Sequence, residues 1–310
     1  MRWNLHGIKV AGKTNDANLR RRWQAAFASL PPGEDESQLT VTLNLVNALP
    51  HAPQGEPQYR QGDLLHYYVS DGEVIAHFPR YGRLQIDVRA AHSEGRLARA
   101  SLERYGVLED LIAIALSPHL RRRGKFLIHA FAAAQAGRAL LLVGDVGAGK
   151  TTTGMALLQA GWRLLSNDSP IVDESGDILS YPGLLAAYPD TMQRFPATRA
   201  LVTGETAPAA QKITVAAEAL WPNVWTSRAS PTAICFPQIG GEDDHRLQPL
   251  AAPESLRRLL PHAIEQWDKE MIPSHLAVLR RLAEATQGYT LRLGPDISTL
   301  PTLLQQLLDE

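Results

Sequence analysis

Hydrophobic and polar positions alternate along the first third of the chain in the manner of half-buried β-strands. Residues 39–46 alternate with a period of two, and residues 84–88 predict another strand. Residues 67–70 and 73–78 flank Asp71-Gly72, a pair that favours the positive φ angles of a tight hairpin turn. From about residue 94 to residue 120 the spacing becomes helical, with a break at Gly106. We therefore expect an N-terminal α+β region of mainly β structure over residues 1–120.

A different pattern follows the basic cluster Arg121-Arg122-Arg123-Gly124-Lys125, which we expect to be a solvated connector, with a phosphate- or substrate-facing role as the alternative. Residues 139–143 form a short, uninterrupted apolar run, which is typical of a strand buried on both faces. Residues 151–160 predict a helix that ends at Gly161, and residues 162–166 predict the next strand. This succession indicates an α/β domain over residues 121–310.

The last third of the chain continues the alternation of strands and helices. Strands are predicted at residues 232–236 and 289–293, with a helix over residues 274–287. From Ser298 onward, leucines recur at helical spacing at positions 300, 303, 304, 307 and 308. We expect this stripe to pack on its own domain, with binding to a partner protein or to a sister subunit in a homo-oligomer as the alternative.

Composition and charge exclude several classes of protein. The chain has 310 residues, of which 45% are hydrophobic and 20% charged, as in an ordinary globular protein. Its net charge is −1, so no overall field attracts nucleic acid or an anionic membrane. The single cysteine, Cys235, lies in an apolar run and is expected to be buried and inert. No apolar run approaches the ~20 residues of a membrane span, and we expect a cytoplasmic protein.

The first chemical signal is a glycine-rich loop, which we define as residues 144–151. Its sequence Gly144-Asp145-Val146-Gly147-Ala148-Gly149-Lys150-Thr151 matches G-x-x-x-x-G-K-[ST], the phosphate-binding pattern of P-loop proteins. Glycines let backbone N–H groups approach phosphate oxygens, while Lys150 is expected to reach the β- and γ-phosphates and Thr151 to bind Mg²⁺. Since the chain has only six lysines, a chance match has a probability of about 1 in 300. We therefore predict a site for ATP and Mg²⁺ that extends to Thr152.

The second signal is Asp168, which follows the strand predicted at residues 162–166. A helix and a strand after the loop return the chain to the carboxyl ends of the strands, where α/β proteins bind ligands. Asp168 is therefore expected to serve the metal ion or the attacking hydroxyl group, although Asn-Asp-Ser-Pro at residues 167–170 is also ordinary turn chemistry. Residues 171–174 imitate the metal-binding strand of ATPases, but a hairpin with residues 178–181 is the better interpretation. Neither an N-K-x-D nor an L-S-G-G-Q signature is present, which disfavours GTPases and ABC proteins.

Three segments together resemble the HPr kinase/phosphorylase family: Ile128-His129-Ala130, the glycine-rich loop, and residues 160–168 (Ala-Gly-Trp-Arg-Leu-Leu-Ser-Asn-Asp). The family pattern is His-Gly or His-Ala, then G-x-x-G-x-G-K-[ST], then R-G-x-R-L-[LVI]-[AS]-D-D, and the resemblance covers about residues 126–172. The family shares a nucleotide-binding core with phosphoenolpyruvate carboxykinase. The resemblance therefore implies an α/β P-loop kinase core of this type over residues 121–310, preceded by the smaller, mainly β region.

The resemblance also implies roles for individual residues. Asp168 matches the second acidic residue of the D-D pair, which implies a general base or Mg²⁺ ligand. His129 matches the family histidine and would hold or tune Asp168, with an ordinary core histidine as the alternative. Lys212, in a segment that is similar to P-K-I-T-V, would approach the phosphates, with a solvated strand-edge lysine as the alternative. Asn167 stands where the family has its first Asp, which removes one carboxylate.

The expected function is that of an ATP-dependent kinase that transfers the γ-phosphate to a hydroxyl group. The family phosphorylates a protein serine, and some members occur beside peptide-tailoring genes, so Ser on a peptide or protein is the expected acceptor. Two alternatives stay open. One is a small-molecule kinase on the same core, and the other is a nucleotide-binding regulator in which Asn167 has ended phosphoryl transfer.

Overall fold

The computed structural model describes residues 1–70, 72–104, 106–202, 211–241 and 243–309, and these form a mixed α/β fold. The chain divides into two compact units: Met1–Gly124 with Glu265–Ile272, and Lys125–Ile264 with Pro273–Glu310. The first unit ends four residues after the predicted boundary. It also includes the segment Glu265–Ile272 from far along the chain, which no local sequence pattern indicated.

Within the described residues, the first unit is built on an eight-stranded sheet with the order β1-β2-β3-β8-β7-β6-β5-β4. The strands are β1 (Arg2–Leu5), β2 (Ile8–Lys13), β3 (Leu39–Leu45), β4 (Tyr59–Gln61), β5 (Leu65–Ser70), β6 (Glu73–Phe78), β7 (Gly82–Asp87) and β8 (His92–Leu97). The helices are α1 (Ala17–Ala26), α2 (Ala100–Glu103) and α3 (Val107–Arg121).

The period-two pattern predicted four of the eight described strands of this unit, β3, β5, β6 and β7, and it missed the other four strands and helix α1. In β3, the alternating residues Leu39, Val41 and Leu43 are buried, as expected. The hairpin is also confirmed, because Ser70 pairs with Glu73 across the turn, although Asp71 itself lies outside the described residues. The helical prediction from residue 94 is wrong at its start, because β8 occupies residues 92–97 and the long helix begins only after Gly106.

The predicted solvated connector is also wrong at its first residue. The Arg121 side chain is only 3% exposed, and its Nε donates a hydrogen bond of 2.8 Å to Asp268 of the segment 265–272. Arg122 contacts the same carboxylate at 3.0 Å. The arginines therefore neutralise a buried carboxylate inside the first unit, where an unpaired charge would be costly.

Within the described residues, the second unit contains a nine-stranded sheet in which β12-β10-β11-β17-β14-β13-β9 are neighbours, and β19 joins β17 to β18. Its strands are β9 (Lys125–Leu127), β10 (Ala130–Gln135), β11 (Arg138–Val143), β12 (Arg163–Ser166), β13 (Ile171–Asp173), β14 (Ile178–Leu179), β17 (Arg228–Ile239), β18 (Arg246–Leu250) and β19 (Gln287–Leu293). Two further strands, β15 (Leu185–Ala187) and β16 (Ile213–Val215), form a separate antiparallel pair.

The helices of the second unit are α4 (Lys150–Gln159), α5 (Pro189–Gln193), α6 (Pro196–Arg199), α7 (Ala217–Leu220), α8 (Ala252–Leu259), α9 (Ile272–Ala285) and α10 (Leu300–Asp309). Short 3-10 helices span Leu260–His262 and Ile297–Thr299. The leucine stripe of α10 packs as predicted, since Leu300, Leu304 and Leu308 are buried in the core of this unit.

The direction of the strands determines which loops meet. β17 and β19 run parallel to β11, and β10 is antiparallel to both β11 and β12. β11 and β12 therefore point the same way, and both end at the same edge of the sheet. The predicted hairpin of β13 with β14 is confirmed, and Asp173 binds Arg228 at 3.1 Å in that region.

Two further expectations concern burial and membranes. Cys235 is fully buried in the core, and burial raises the pKa of its thiol far above the ordinary value, as expected for an inert cysteine. In the part of the chain that the structure describes, no helix is both long and apolar enough to cross a bilayer.

Candidate functional site

The glycine-rich loop connects β11 to α4, with Gly144, Asp145, Val146, Gly147, Ala148 and Gly149 in the turn and Lys150, Thr151 and Thr152 in the first helical turn. Gly149 has a φ of +102°, and a β-carbon at this position would collide with Leu293 at the end of β19. A larger residue would therefore strain the backbone at this positive φ and displace the Leu293 side chain. The chain thus brings the N-terminus of α4 close to the carboxyl ends of the parallel strands.

Lys150 reaches back across the loop. Its side chain is mostly buried at 8% exposure, and its Nζ donates hydrogen bonds to the carbonyls of Gly144 and, at 3.1 Å, Asp145. Nζ also lies 3.3 Å from Nε2 of His129. The ammonium group is therefore held against the first two residues of the loop, and loops of this kind bind phosphate oxygens.

His129 lies directly before β10, whose first residue Ala130 pairs with Val143 at the end of β11. Antiparallel pairing therefore places His129 next to the start of the glycine-rich loop. The backbone fixes this position on two sides. The N–H of His129 donates to the carbonyl of His262 at 2.7 Å, and the N–H of Ala130 donates to the carbonyl of Asp168 at 3.0 Å.

Asp168 follows β12 at the same edge of the sheet. Its Oδ1 lies 3.3 Å from Nδ1 of His129, and its side chain is 52% exposed. The hydroxyl of Ser166 accepts the N–H groups of Asp168 at 3.4 Å and Ser169 at 3.0 Å, which stabilises the turn that presents the carboxylate. The structure therefore joins Lys150, His129 and Asp168 in one row of contacts, in agreement with their predicted proximity.

Asn167 has a structural partner that a carboxylate would lack. Its Nδ2 donates a hydrogen bond of 3.2 Å to the carbonyl of Leu184. Its Oδ1 is buried and has no hydrogen-bond partner among the described residues. An aspartate at this position would set a carboxylate against the Leu184 carbonyl, so the amide fits its surroundings here.

His262 is a member of this cluster that the sequence did not indicate. Its ring lies against that of His129, with 6.2 Å between the ring centroids and 27° between the planes. The residue ends the 3-10 helix Leu260–His262, more than a hundred positions from His129, and no motif surrounds it. Only the three-dimensional arrangement identifies it.

Burial and neighbouring charges shift the pKa values of the cluster. Burial lowers the pKa of His129, against the opposing effect of the Asp168 carboxylate, and the charges of Lys150 and Lys212 lower it further. Burial also lowers the pKa of Lys150, again opposed by Asp168. The pKa of His262 is lowered mainly by burial, with Asp145 acting in the opposite direction. These directions favour neutral imidazoles at His129 and His262, and they weaken the preference of Lys150 for its charged form.

The residues present fit the phosphates of a nucleotide. No side chain caps the N-terminus of α4, because Gly149 occupies the capping position. The first N–H groups of a helix lack partners within it and attract anions. Thr151 and Asp168 offer oxygen atoms suited to Mg²⁺ at this end of the sheet. The hydroxyl of Thr152 instead lies 3.3 Å from that of Thr191.

No protein-family model matches this chain, and no curated protein matches it in sequence. The resemblance to the HPr kinase/phosphorylase family therefore stays a prediction from the residues that carry it.

Proposed function

We propose that the protein is an ATP-dependent P-loop kinase of HPr-kinase-like type, which transfers the γ-phosphate to a hydroxyl group of Ser on a peptide or protein. The observation that carries this proposal is the row of contacts from Lys150 through His129 to Asp168, with 3.3 Å at each step. A cation beside a phosphate-binding loop and an accessible carboxylate at the same sheet edge are the two groups that phosphoryl transfer to a hydroxyl needs.

The chemical step assigns a role to each of these groups. The acceptor oxygen forms a bond to the γ-phosphorus, the bond from that phosphorus to the bridging β–γ oxygen breaks, and ADP leaves. Asp168 orients the acceptor hydroxyl and takes its proton, while Lys150 neutralises the charge on the phosphoryl oxygens. When Mg²⁺ is bound, the Thr151 hydroxyl and the Asp168 carboxylate would hold it, and it would neutralise phosphate charge.

His129 acts on the reaction through its neighbours. A neutral imidazole with its proton on Nδ1 donates toward Oδ1 of Asp168 and accepts from the Lys150 ammonium at Nε2. The main-chain hydrogen bond from His129 to His262 keeps the ring between the two charged groups. His129 is thus a positioning residue for both.

Asn167 favours a second candidate function, a nucleotide-binding regulator. The pair Asn167-Asp168 offers one carboxylate where the family pattern has two, and the amide of Asn167 donates a hydrogen bond to the Leu184 carbonyl. A single carboxylate would then have to serve both the metal ion and the acceptor. If it serves only the metal ion, the protein binds nucleotide without transferring phosphate.

Incubation of the purified protein with γ-labelled ATP, Mg²⁺ and a mixture of serine-containing peptides and small hydroxyl compounds distinguishes the candidates. The proposal predicts label on a peptide serine in the wild type and none with Lys150→Ala. Label confined to small hydroxyl compounds would instead support a small-molecule kinase. Nucleotide binding without transfer, in the wild type and in Asn167→Asp alike, would support the regulator and contradict the kinase.

A further inference from the structure

A second lysine stands beside the candidate site, on a different element from the glycine-rich loop. Strands β15 and β16 are antiparallel, and Ala187 pairs with Ile213. The residue after Ala187 is Tyr188 and the residue before Ile213 is Lys212, so antiparallel pairing places these two side by side. Nζ of Lys212 lies 5.5 Å from the centroid of the Tyr188 ring. This distance is that of a cation–π contact.

The segment that follows Tyr188 contacts the first turn of α4. Helix α5 begins at Pro189, immediately after Tyr188, and the hydroxyl of its Thr191 lies 3.3 Å from that of Thr152. Met192 of α5 is buried in the core that also contains Met155 of α4. The β15–β16 pair, and with it Lys212, is therefore fixed close to the end of α4 where phosphate is expected.

The positive charge of Lys212 affects the pKa values of Lys150 and His129, the two residues beside the expected phosphate position. Burial is the largest cause of the lowered pKa of Lys150 and of His129, and the positive charge of Lys212 contributes to both shifts in the same direction. Lys212 is half-buried, in contrast to the fully solvated strand-edge lysine that the sequence also allowed. Its electrostatic effect agrees with the placement that the strand pairing and the Thr152–Thr191 contact provide.

Phosphoryl transfer needs positive charge on the γ-phosphoryl group beyond that of the loop lysine. Negative charge is spread over three equatorial oxygens in the transition state, and a cation that approaches from outside the loop stabilises it strongly. We propose that Lys212 is a second phosphate-binding cation, which contacts the γ-phosphoryl group of the bound nucleotide, and that the Tyr188 ring is the positioning residue for its side chain. This inference rests on the proposed nucleotide site and assigns it a residue specific for the γ-phosphate.

The test compares ATP with ADP, because a cation on the γ-phosphoryl group affects only ATP. Dissociation constants for Mg²⁺ with ATP and with ADP are measured by calorimetry for the wild type, for Lys212→Met and for Lys125→Met. Lys125 is a lysine of the same unit on β9 and serves as the matched control. For Lys212→Met we expect ATP affinity to fall about tenfold, the scale of one charge-assisted hydrogen bond, with ADP affinity changed less than about twofold.

Two further variants separate the positioning role from general damage. Tyr188→Phe keeps the aromatic face and should keep the wild-type ratio of ATP to ADP affinity, whereas Tyr188→Leu should lower it. Equal losses for ATP and ADP in Lys212→Met, or no loss for either, would overturn the inference while leaving the nucleotide site intact. Failure of the wild type to bind either nucleotide would overturn the proposed function, and the inference with it.

Discussion

The chemistry of the candidate site depends on how three side chains share protons. Lys150 has backbone carbonyls and an imidazole nitrogen as acceptors, and His129 has a different partner at each ring nitrogen. Asp168 is the most accessible member of this row, with half of its side chain exposed. It is therefore the member that an acceptor hydroxyl would reach in the proposed reaction.

Replacement of Asp168 by Asn tests this role at the scale of one residue. Asp168→Asn keeps the size of the side chain and removes the proposed base, so the rate of phosphoryl transfer should fall at least ~100-fold. The thermal midpoint should change little, because the carboxylate is half exposed. The control is Glu284→Gln, which removes an exposed carboxylate on α9. A near-normal rate in Asp168→Asn would place the base elsewhere.

At the scale of secondary-structure elements, α4 is held against β10 by close packing. Gly154 of α4 faces Phe131 of β10, and a β-carbon on Gly154 would collide with the aromatic ring. The apolar pattern predicted both the strand before the loop and the helix after it. It did not predict this contact, because a glycine in a helix carries no hydrophobic signal.

Gly154→Ala tests this packing. Overpacking a full core forces neighbouring side chains from their preferred positions, and we expect a loss of about 1–3 kcal/mol in the free energy of unfolding. The matched control is Gly183→Ala, because a β-carbon at Gly183 meets nothing within 4 Å. Chemical denaturation of both variants provides the comparison. An unchanged midpoint in Gly154→Ala would contradict the packing.

Residues without a hydrophobic signal also explain why a helix was predicted where the structure has strand β8. Its buried positions include Ser93 and Gly95, which read as polar or neutral in the sequence. Gly95 is required there because a β-carbon would approach Leu43 of β3 at 2.6 Å and Leu84 of β7 at 2.8 Å. Because small residues occupy these two buried positions of β8, the period-two pattern of apolar residues is absent from its sequence.

The buried His119 of α3 makes the first unit sensitive to pH. The Ser93 hydroxyl donates to the carbonyl of Ala115 at 2.7 Å, so Nε2 of His119 must donate to Ser93 at 2.9 Å. Burial, and then the charges of Arg123 and Arg122, lower the pKa of His119 to about 4. The pKa of His119 is lower in the folded state than in the unfolded state, so its contribution to stability is fully present when the pH is above the unfolded-state pKa. This stability is lost as the pH falls toward the folded-state pKa.

We therefore expect the unfolding free energy to fall between about pH 6.5 and pH 4. The loss at pH 5 should be about 2 kcal/mol, since each unit of pKa difference corresponds to ~1.4 kcal/mol. His119→Leu should lose this part of the pH dependence, whatever its stability at pH 7. Urea titrations of both proteins at pH 7 and pH 5 provide the measurement. Equal pH dependence in the two would contradict the assignment.

At the scale of the whole molecule, the chain crosses between its two units more than once. The segment 265–272 returns to the first unit, where Asp268 meets Arg121 and Arg122. His262 joins the candidate site of the second unit only a few residues earlier. Both contacts connect residues more than a hundred positions apart, and local periodicity contains no information on such pairs. The motif at residues 144–151 was predictable because its chemistry is contiguous in sequence.

Asp268→Ala tests the anchoring of this segment. The substitution leaves Arg121 buried without its carboxylate, and we expect a loss of about 3–5 kcal/mol in the free energy of unfolding. Glu270→Ala is the control, because Glu270 is 77% exposed in its ion pair with Arg122 and an exposed pair contributes at most ~1 kcal/mol. Similar small effects from both substitutions would show that the buried ion pair does not hold the segment.

The proposed function requires the glycine-rich loop to bind the phosphates of a nucleotide through Lys150. Calorimetric titration with ATP and Mg²⁺ tests this binding directly. The wild type, Lys150→Ala and the control Lys125→Ala are compared once thermal unfolding shows that all three are folded and equally stable. We expect saturable binding by the wild type and by Lys125→Ala, and at least about tenfold weaker binding by Lys150→Ala, the scale of a lost charge-assisted hydrogen bond. Absence of binding by the wild type, or equal affinity in all three proteins, would contradict it.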